Sequence, residues 1–251
     1  MGLFNFFTQE IAMDLGTANT LIIHNDEVVV NEPSIIALNR NNMKEVLGVG
    51  KKALLMHEKT HESIKTVRPL KDGVIADFNA AELMIRELMK MIYPKKPLFP
   101  PSWRMVICIP SSITEVEKRA VRDSAEQAGA KEVYMIHEPM AAALGIGIDV
   151  EEPVGNMIID IGGGTTGITV IALAGIVCDQ SIRVAGDEFT ADIMEALRRY
   201  HSLLIGERTA EQIKIHVGAA LKDLDNPPDD MPVNGRDLVT GIPKQIMVTY
   251  Q

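Results

Sequence analysis

The sequence predicts an α/β fold in which one kind of glycine-containing hairpin occurs twice. In residues 157–170 an apolar run ends at Asp160, a turn of glycines and threonines follows, and a second apolar run returns; this is typical of two strands joined by a tight turn. Residues 11–23 repeat the pattern, with Asp14 aligned to Asp160, which indicates a duplicated domain. Strand and helix patterns alternate over residues 105–145, which indicates a sheet with crossover helices.

Both turns have the composition of a phosphate-binding loop. Glycine lets main-chain N–H groups approach an anion and point at it together. Asp14 and Asp160 stand at the lips of the turns, where a carboxylate can hold a hard cation such as Mg²⁺ through water. A single turn of this kind is as well explained by an ordinary hairpin, whereas two matching turns would clamp a polyphosphate. The residues expected to hold phosphate are Gly16, Thr17, Ala18 and Asn19 in the first turn and Gly162, Gly163, Gly164 and Thr165 in the second.

Apolar periodicity and end signals predict the other elements of the first part of the chain. Strands are expected at 28–30, 35–38, 46–50, 105–109 and 133–136, and helices at 51–57, 82–92 and 140–145. Thr114 and Glu117 form a capping box that opens a further helix, which Gly129 ends. The side chains expected on the apolar face of that helix are Val116, Ala120, Ala125 and Ala128.

The same signals predict the elements that follow the second hairpin. Expected are a strand at 176–184, a helix from 186 to about 204, a turn at 234–237 and a strand at 246–250. Thr209 and Gln212 match a second capping box, from which a helix is expected to run to about residue 221.

Several motifs together resemble a known family. Residues 14–20 and 160–166 resemble the two phosphate motifs of the actin, sugar-kinase and heat-shock-chaperone ATPase superfamily. Residues 31–34, 71–78 and 138–143 are similar to the MreB family, the bacterial actins that determine rod shape. This resemblance implies an actin-like (ribonuclease H-like) fold, with duplicated ATPase domains and a nucleotide cleft between them.

The resemblance also implies a domain organisation and a function. Domain I is expected at residues 1–148, with a small outer subdomain at about 33–77, and domain II at 149–251. Domain II is expected to be incomplete, because full-length members of the family continue beyond the position of Gln251. The implied protein is a slow ATP hydrolase that polymerises into membrane-associated filaments and organises cell-wall synthesis. Its expected partners are further copies of itself, the inner face of the cytoplasmic membrane and cell-wall elongation proteins.

By the same resemblance, individual residues take roles around ATP and Mg²⁺. Glu138 is expected to orient or polarise the attacking water, although a carboxylate at a helix start also simply favours the positive end of the helix dipole. The segment Glu211, Gln212, Ile213 and Lys214 is expected to approach the adenosine. Glu211 and Lys214 would equally form a surface ion pair at helical spacing.

Two apolar segments are candidate membrane contacts. Leu98 and Phe99 lie in a proline-rich stretch between basic residues, and the resemblance implies a membrane-insertion loop there. Phe4, Phe6 and Phe7 make the N-terminal segment a candidate amphipathic anchor. Both segments could instead fold back onto the body of the protein.

Composition excludes some function classes. The formal charge is −9, which argues against a nucleic-acid-binding protein. There is no apolar run long enough to span a bilayer. Cys108 and Cys178 lie in apolar stretches without metal-site spacing, so we expect two buried thiols in a reducing cytosol. The predicted location is therefore cytoplasmic, and the resemblance implies the inner face of the cell membrane.

Two other superfamily functions remain alternatives at this point. A small-molecule kinase would share both phosphate loops, but no clear sugar-binding segment follows the first hairpin. A chaperone-like ATPase would need a peptide-binding domain after the ATPase core. Sedimentation with ATP would separate a filament-forming protein from both.

Overall fold

The computed structural model describes residues 8–57, 62–93 and 102–250. The chain divides into two compact units, Met1–Arg183 and Val184–Gln251. This division follows the density of contacts, whereas the predicted domains at 1–148 and 149–251 follow the duplication of the hairpin. The domain limits taken from the duplication therefore stay a prediction.

The first unit contains thirteen strands and four helices in the part that the structure describes. The elements as far as the eighth strand are β1 (Thr8–Leu15), β2 (Asn19–His24), β3 (Glu27–Pro33), β4 (Ile36–Asn39), β5 (Asn42–Val49), α1 (Lys51–His57), β6 (Ile64–Val67), β7 (Leu70–Lys71) and β8 (Val74–Ile75). The elements that follow are α2 (Phe78–Ile92), β9 (Ser102–Ile109), α3 (Glu115–Gln127), β10 (Ala130–His137), α4 (Glu138–Gly145), β11 (Asn156–Ile161), β12 (Thr166–Ala172) and β13 (Gly175–Ile182).

A five-stranded sheet with the order β10-β9-β1-β2-β3 forms the centre of the first unit. β1 is parallel to β9 and antiparallel to β2, so the first hairpin lies in the middle of the sheet. Alternate residues of these strands are apolar and point into one core. Met13, Ile22 and Met105 are fully buried there, as expected for strands covered by helices.

Helix α2 covers this sheet with an apolar face repeated every three to four residues. Ala81, Met84, Ile85 and Leu88 are fully buried. The helix begins four residues before the predicted start, because Asp77 caps it by accepting a hydrogen bond from the Ala80 N–H at 3.0 Å.

Helix α3 confirms the first predicted capping box. The Thr114 hydroxyl accepts from the Glu117 N–H, and the Glu117 carboxylate accepts from the Thr114 N–H. The prediction that Val116 faces the core is wrong, since 78% of this residue is exposed. The buried face of the helix is instead formed by Ala120, Val121 and Ala125.

The second hairpin lies in a separate three-stranded sheet, β11-β12-β13, which is antiparallel throughout. One face packs on α4, where Ala143, Ile158 and Ile171 are buried together. Two small sheets, β5-β4-β6 and β7-β8, complete the first unit within the described residues.

The second unit consists of α5 (Gly186–His201), β14 (Leu203–Leu204), α6 (Glu207–Val217), β15 (Met231–Asp237) and β16 (Pro243–Val248). The three strands form one antiparallel sheet. Its core includes Leu197 from α5, Ile213 from α6 and Val233 from β15.

Several sequence-based predictions for this unit are wrong. Helix α5 ends at His201 because Ser202 takes a left-handed conformation, with φ of 52°. The predicted capping box at Thr209 is absent, since α6 begins at Glu207 after Gly206 and ends at Val217. Residues 234–237 lie within β15 and form no turn, because they pair with both β14 and β16.

The two cysteines differ from the expectation of buried thiols. Cys178 is exposed on β13 and Cys108 is half-buried on β9, and both are free thiols. No described helix is long and apolar enough to cross a membrane.

Candidate functional site

The first glycine loop is tightly closed. A Cβ added to Gly16 would lie 2.7 Å from the Asn19 carbonyl oxygen, so only glycine fits there. The hydroxyl of Ser34, which follows β3, donates to the Gly16 carbonyl oxygen at 2.6 Å, and its N–H donates to the Ala18 carbonyl oxygen at 2.9 Å. Ser34 is buried. The loop therefore has a fixed shape that depends on its neighbours in the sheet.

The second glycine loop lies against the first. The Gly162 N–H donates to the Thr165 carbonyl oxygen at 2.9 Å and closes the turn. A Cβ on Gly163 would lie 2.7 Å from the Ala18 Cβ and 3.2 Å from the Ala18 nitrogen. The two predicted phosphate loops thus meet in one compact unit, with glycine required at their point of contact.

Three carboxylates converge beside these loops. Asp14 lies opposite Cys108 in the β1–β9 ladder, Asp160 is the last residue but one of β11, and Glu138 begins α4. Solvent reaches Asp14, but the surrounding protein atoms and the charge of Asp160 raise its pKa. Burial raises the pKa of Glu138 to about 7, and the charges of Asp14 and Asp160 add to this shift. The structure therefore brings together the residues that were predicted to hold metal and to handle water.

The electrostatic field at this point is negative. Burial raises the pKa of the Cys108 thiol to about 12, and the carboxylates of Asp14, Glu138 and Asp160 contribute to the shift. Among the described residues, no group of three or more His, Cys, Asp or Glu side chains is arranged to hold a metal ion. Two carboxylates acting through water remain compatible with Mg²⁺, which keeps several of its waters in proteins.

A cleft lined by Glu138, Asp160 and Thr165 opens beside the second loop. The Thr169 hydroxyl donates to the Asp179 carboxylate at 2.7 Å on its wall. Sequence reasoning missed the wall residues, because they come from two strands, β12 and β13, and from the loop after β9. They are Pro110, Ser111, Ser112, Thr169, Asp179 and Ser181.

The turn between β7 and β8 is a further neighbour of the loops that the sequence did not predict. The Gly73 N–H donates to the Thr17 hydroxyl at 2.9 Å. Its local signal was present, since Asp-Gly between short apolar runs is typical of a hairpin turn. Nothing local could have indicated that the turn reaches residues so distant in sequence.

The arrangement of two glycine loops with shared carboxylates can be compared with known proteins. The family model described as "MreB/Mbl protein" matches residues 8–251. The chain belongs to the MreB/Mbl family.

Curated relatives agree with this assignment. The cell shape-determining protein Mbl of Bacillus subtilis (strain 168) is 45% identical over 243 residues, which cover 96% of this chain and 72% of the relative. The cell shape-determining protein MreB of Escherichia coli (strain K12) is 44% identical over 245 residues, covering 95% of this chain and 69% of the relative.

Solved structures agree on the fold. MreB5 of Spiroplasma citri bound to AMPPNP has a TM-score of 0.87 and 38% identity, and the match covers 97% of this chain and 72% of that one. A MamK double helical filament has a TM-score of 0.73 at 19% identity, covering 96% of this chain and 72% of that one. The predicted actin-like fold is therefore confirmed.

Membership of the MreB/Mbl family also decides between the predicted function classes. The relatives are cell shape-determining proteins, so this chain is a cytoskeletal protein of that class. Neither the small-molecule kinase nor the chaperone-like ATPase is favoured.

The predicted adenosine segment lies in the second unit, on α6. Ile213 packs into the core of that unit and Gln212 is exposed. The Lys214 ammonium lies 2.6 Å from the Glu211 carboxylate and donates to the Gly186 carbonyl oxygen at 2.8 Å. The Thr190 hydroxyl donates to Glu211 at 2.8 Å. The ion pair expected from helical spacing is thus part of a network that joins α6 to the start of α5.

The predicted membrane contacts cannot be placed in the same way. Leu98, Phe99, Phe4, Phe6 and Phe7 all lie outside the described residues. The structure does describe Thr8 and Ser102, which directly follow these two segments in the sequence.

Proposed function

We propose that this MreB/Mbl chain binds and slowly hydrolyses ATP, polymerises into filaments on the inner face of the cell membrane, and organises cell-wall synthesis with elongation proteins. One observation carries the proposal. The two glycine loops touch through Gly163 and Ala18, and the Asp14, Asp160 and Glu138 carboxylates share the space beside them.

The loops suit the phosphate chain of ATP. Glycine leaves main-chain N–H groups accessible to an anion, and residues 16–19 and 162–165 supply the backbone on the two sides. The relative MreB5 of Spiroplasma citri was solved with AMPPNP and with ADP. On the second unit, Glu211 and Lys214 are the side chains proposed to approach the adenosine.

Asp14 and Asp160 would hold Mg²⁺ through water. Burial raises the pKa of Asp14, and the negative charge of Asp160 adds to the shift. A cation beside these two carboxylates would offset their negative charge. When bound, Mg²⁺ supplies positive charge that offsets the negative charge of the phosphates. The two carboxylates orient its water shell and so fix the position of the phosphate chain.

Glu138 would handle the attacking water. At its N-terminal position on α4 the carboxylate faces Asp14 and Asp160, and its pKa of about 7 leaves roughly half of the molecules ionised at neutral pH. An ionised carboxylate accepts a hydrogen bond from water and can take its proton as the water oxygen bonds to the γ-phosphorus. In the same step the bond from this phosphorus to the β–γ bridging oxygen breaks, and ADP leaves with its electron pair. A pKa near the working pH is what efficient proton transfer requires.

The membrane contact has support from the described neighbours of the two apolar segments. Thr8 and Ser102 are register partners in the parallel β1–β9 pair. β1 and β9 therefore begin at the same end of the sheet. The sequence segments that precede these two strands carry Phe4, Phe6, Phe7, Leu98 and Phe99. Apolar side chains contribute about 1.5–3 kcal/mol each when buried, and a filament multiplies a weak contact by presenting many copies.

ATP hydrolysis and ATP-dependent sedimentation test the first part of the proposal. We expect the parent chain to hydrolyse ATP slowly and to sediment with ATP and Mg²⁺. The variant Gly163→Ala should lose ATP binding, because its Cβ would overlap Ala18. Gly155→Ala is the matched control, since its Cβ would meet only an ordinary contact at 3.6 Å. A parent that fails to bind ATP, or that transfers phosphate to added hexoses, would contradict the proposal.

Co-sedimentation with anionic liposomes tests the membrane part. The double variant Leu98→Ser with Phe99→Ser should lose liposome binding and keep ATP binding, because it removes two apolar groups outside the cleft. A double variant that pellets with liposomes as well as the parent does would exclude this segment as the anchor. The N-terminal phenylalanines would then be the remaining candidate.

A further inference from the structure

The β7–β8 turn, residues 71–74, touches both glycine loops and belongs to neither. Asp72 and Gly73 both have left-handed backbone conformations, with φ of 51° and 79°. Such a pair of conformations is typical of a tight type I′ hairpin turn. Because the turn reaches two segments that are distant in sequence, its contacts need an explanation beyond local chain reversal.

The contact with the first loop is a hydrogen bond. The Gly73 N–H donates to the Thr17 hydroxyl at 2.9 Å, and only 9% of Thr17 is exposed. A main-chain donor in such a place needs a partner, since leaving it unpaired is unfavourable by an amount comparable to the bond itself. The Thr17 side chain is therefore held in one orientation by the turn.

The contact with the second loop is backbone against backbone. A Cβ on Gly164 would lie 3.1 Å from the Asp72 nitrogen and 3.1 Å from the Thr17 Cγ2. A Cβ on Gly73 would lie 3.2 Å from the Pro110 Cγ and 3.6 Å from the Thr165 hydroxyl oxygen. The turn thus fills the space between the two loops at van der Waals distance.

The turn itself is firmly mounted. Leu70 and Ile75, on the two sides of it, are buried in the main core. The Ala76 N–H donates to the Pro69 carbonyl oxygen at 2.8 Å and closes the base of the hairpin. Because the turn is fixed to the core in this way, it can hold the two loops that it contacts in fixed positions.

We propose that the β7–β8 turn is a positioning element of the nucleotide site, in which the backbone of Asp72 and Gly73 keeps the two phosphate loops at their working separation. This inference rests on the proposed function of those loops. The relevant property is the backbone conformation. The Asp72 carboxylate only faces Arg183 at 3.6 Å, with 80% of the Arg183 side chain exposed, and such surface pairs contribute little.

Two glycine substitutions with equal backbone strain separate positioning from stability. Gly73→Ala and Gly147→Ala place a Cβ at φ of 79° and 80°, so each should lower Tm by roughly 2–8 °C. Around Gly147 the added Cβ meets nothing within 4 Å, whereas around Gly73 it presses on Pro110. We expect only Gly73→Ala to weaken binding of ATP with Mg²⁺, by about tenfold or more, because small displacements of positioning groups have effects up to about a hundredfold.

A second pair of variants tests the hydrogen bond alone. Thr17→Val removes the hydroxyl and should bind ATP about tenfold more weakly than the parent, and Thr17→Ser, which keeps the hydroxyl, should recover most of that loss. If the hydroxyl acts through Gly73, the combined variant Gly73→Ala with Thr17→Val should be less impaired than the sum of the two single effects. Arg183→Gln, which removes the surface ion pair with Asp72 and leaves the backbone of the turn unchanged, should bind ATP like the parent.

The outcomes distinguish this inference from the proposed function. A parent chain that binds no ATP would contradict both the proposed function and the positioning role of the turn. A parent that binds ATP, with Gly73→Ala and Gly147→Ala equally impaired, would overturn the positioning role and leave the proposed function intact. Additive effects of Gly73→Ala and Thr17→Val would likewise show that Thr17 acts on the nucleotide independently of the turn.

Discussion

The two glycine hairpins share a sequence pattern but differ in what covers their strands. In the first hairpin, Met13 and Ile22 are fully buried in the middle of a five-stranded sheet. In the second, β11 is an edge strand, and Met157, Ile159 and Ile161 are each more than half exposed. The two loops nevertheless contact each other, through Gly163 and Ala18. The glycines and the hairpin register are therefore common to both loops, whereas the burial of each hairpin is set by its surroundings.

The largest expected effect comes from the strands themselves. Met13→Ala should lower the free energy of unfolding by about 2–5 kcal/mol, because it opens a cavity in a closed core. Ile159→Ala should lower it by about 1 kcal/mol or less, since 58% of Ile159 is exposed. Ile171→Ala, at 0% exposure in the second hairpin, is the control and should resemble Met13→Ala. Equal losses at positions 13 and 159 in denaturant unfolding would contradict the comparison.

Glu138 lies between the two hairpins, and its loss should have the next largest effect. Glu138→Gln should leave ATP binding nearly intact and slow single-turnover hydrolysis by roughly a hundredfold. In the parent the rate should rise with pH until Glu138 is fully ionised in the complex with ATP and Mg²⁺, because the carboxylate acts in its ionised form. Glu115→Gln, at the start of α3, is the control for a carboxylate that only favours a helix terminus. An unchanged rate in Glu138→Gln would remove Glu138 from the mechanism.

The aspartates at equivalent positions of the two hairpins should matter to similar extents. Asp14→Asn or Asp160→Asn should weaken binding of ATP with Mg²⁺ by roughly 10–100-fold, the usual range for groups that orient a metal's ligands. ATP binding without Mg²⁺ should change much less, and titration calorimetry under both conditions measures the difference. Asp179→Asn, on the cleft wall, serves as a control for the loss of a nearby negative charge. Equal affinity in variant and parent with Mg²⁺ would contradict the metal role.

The smallest expected effect is a change in the pH dependence of stability. Without nucleotide and Mg²⁺, the folded state raises the pKa of Glu138 from 4.5 to about 7, so it binds the proton more tightly than the unfolded chain does. Stability from this group is complete below about pH 4.5 and is lost as pH rises through 7. Glu138→Gln should therefore be more stable than the parent at pH 8, by about 1–2 kcal/mol, and similar to it at pH 4.5. Thermal unfolding at both values measures this, and a constant difference would argue against the raised pKa.

Local patterns predicted much of the fold and of the site. Helix α1 was predicted with its observed bounds, and the Thr114 capping box and both hairpins are confirmed. These features depend on residues within a few positions of each other. The convergence of Asp14, Asp160 and Glu138 was predictable only from the repeat and the family resemblance, because no local pattern brings distant strands together.

Some of the wrong predictions have a physical cause in long-range contact. Gly235 belongs to a sequence typical of a turn, but a Cβ there would lie 2.6 Å from the Leu204 carbonyl oxygen. The glycine is thus needed for close strand packing in β15. Likewise α5 ends at its cap residue Ser202, directly before Leu203 begins β14 and pairs with β15. The exposure of Cys178 on β13 depends on which elements pack on that strand.

The strand order also determines when each hairpin can form during synthesis. The second hairpin pairs neighbouring segments, β11 with β12, so it can close as soon as both have left the ribosome. The first hairpin can take its place in the central sheet only after β9 has been synthesised, because Thr8 pairs with Ser102 and Asp14 pairs with Cys108. Contacts of such sequence separation slow folding. The first hairpin, which is the more deeply buried of the two in the folded protein, therefore has exposed apolar strands until β9 has been synthesised.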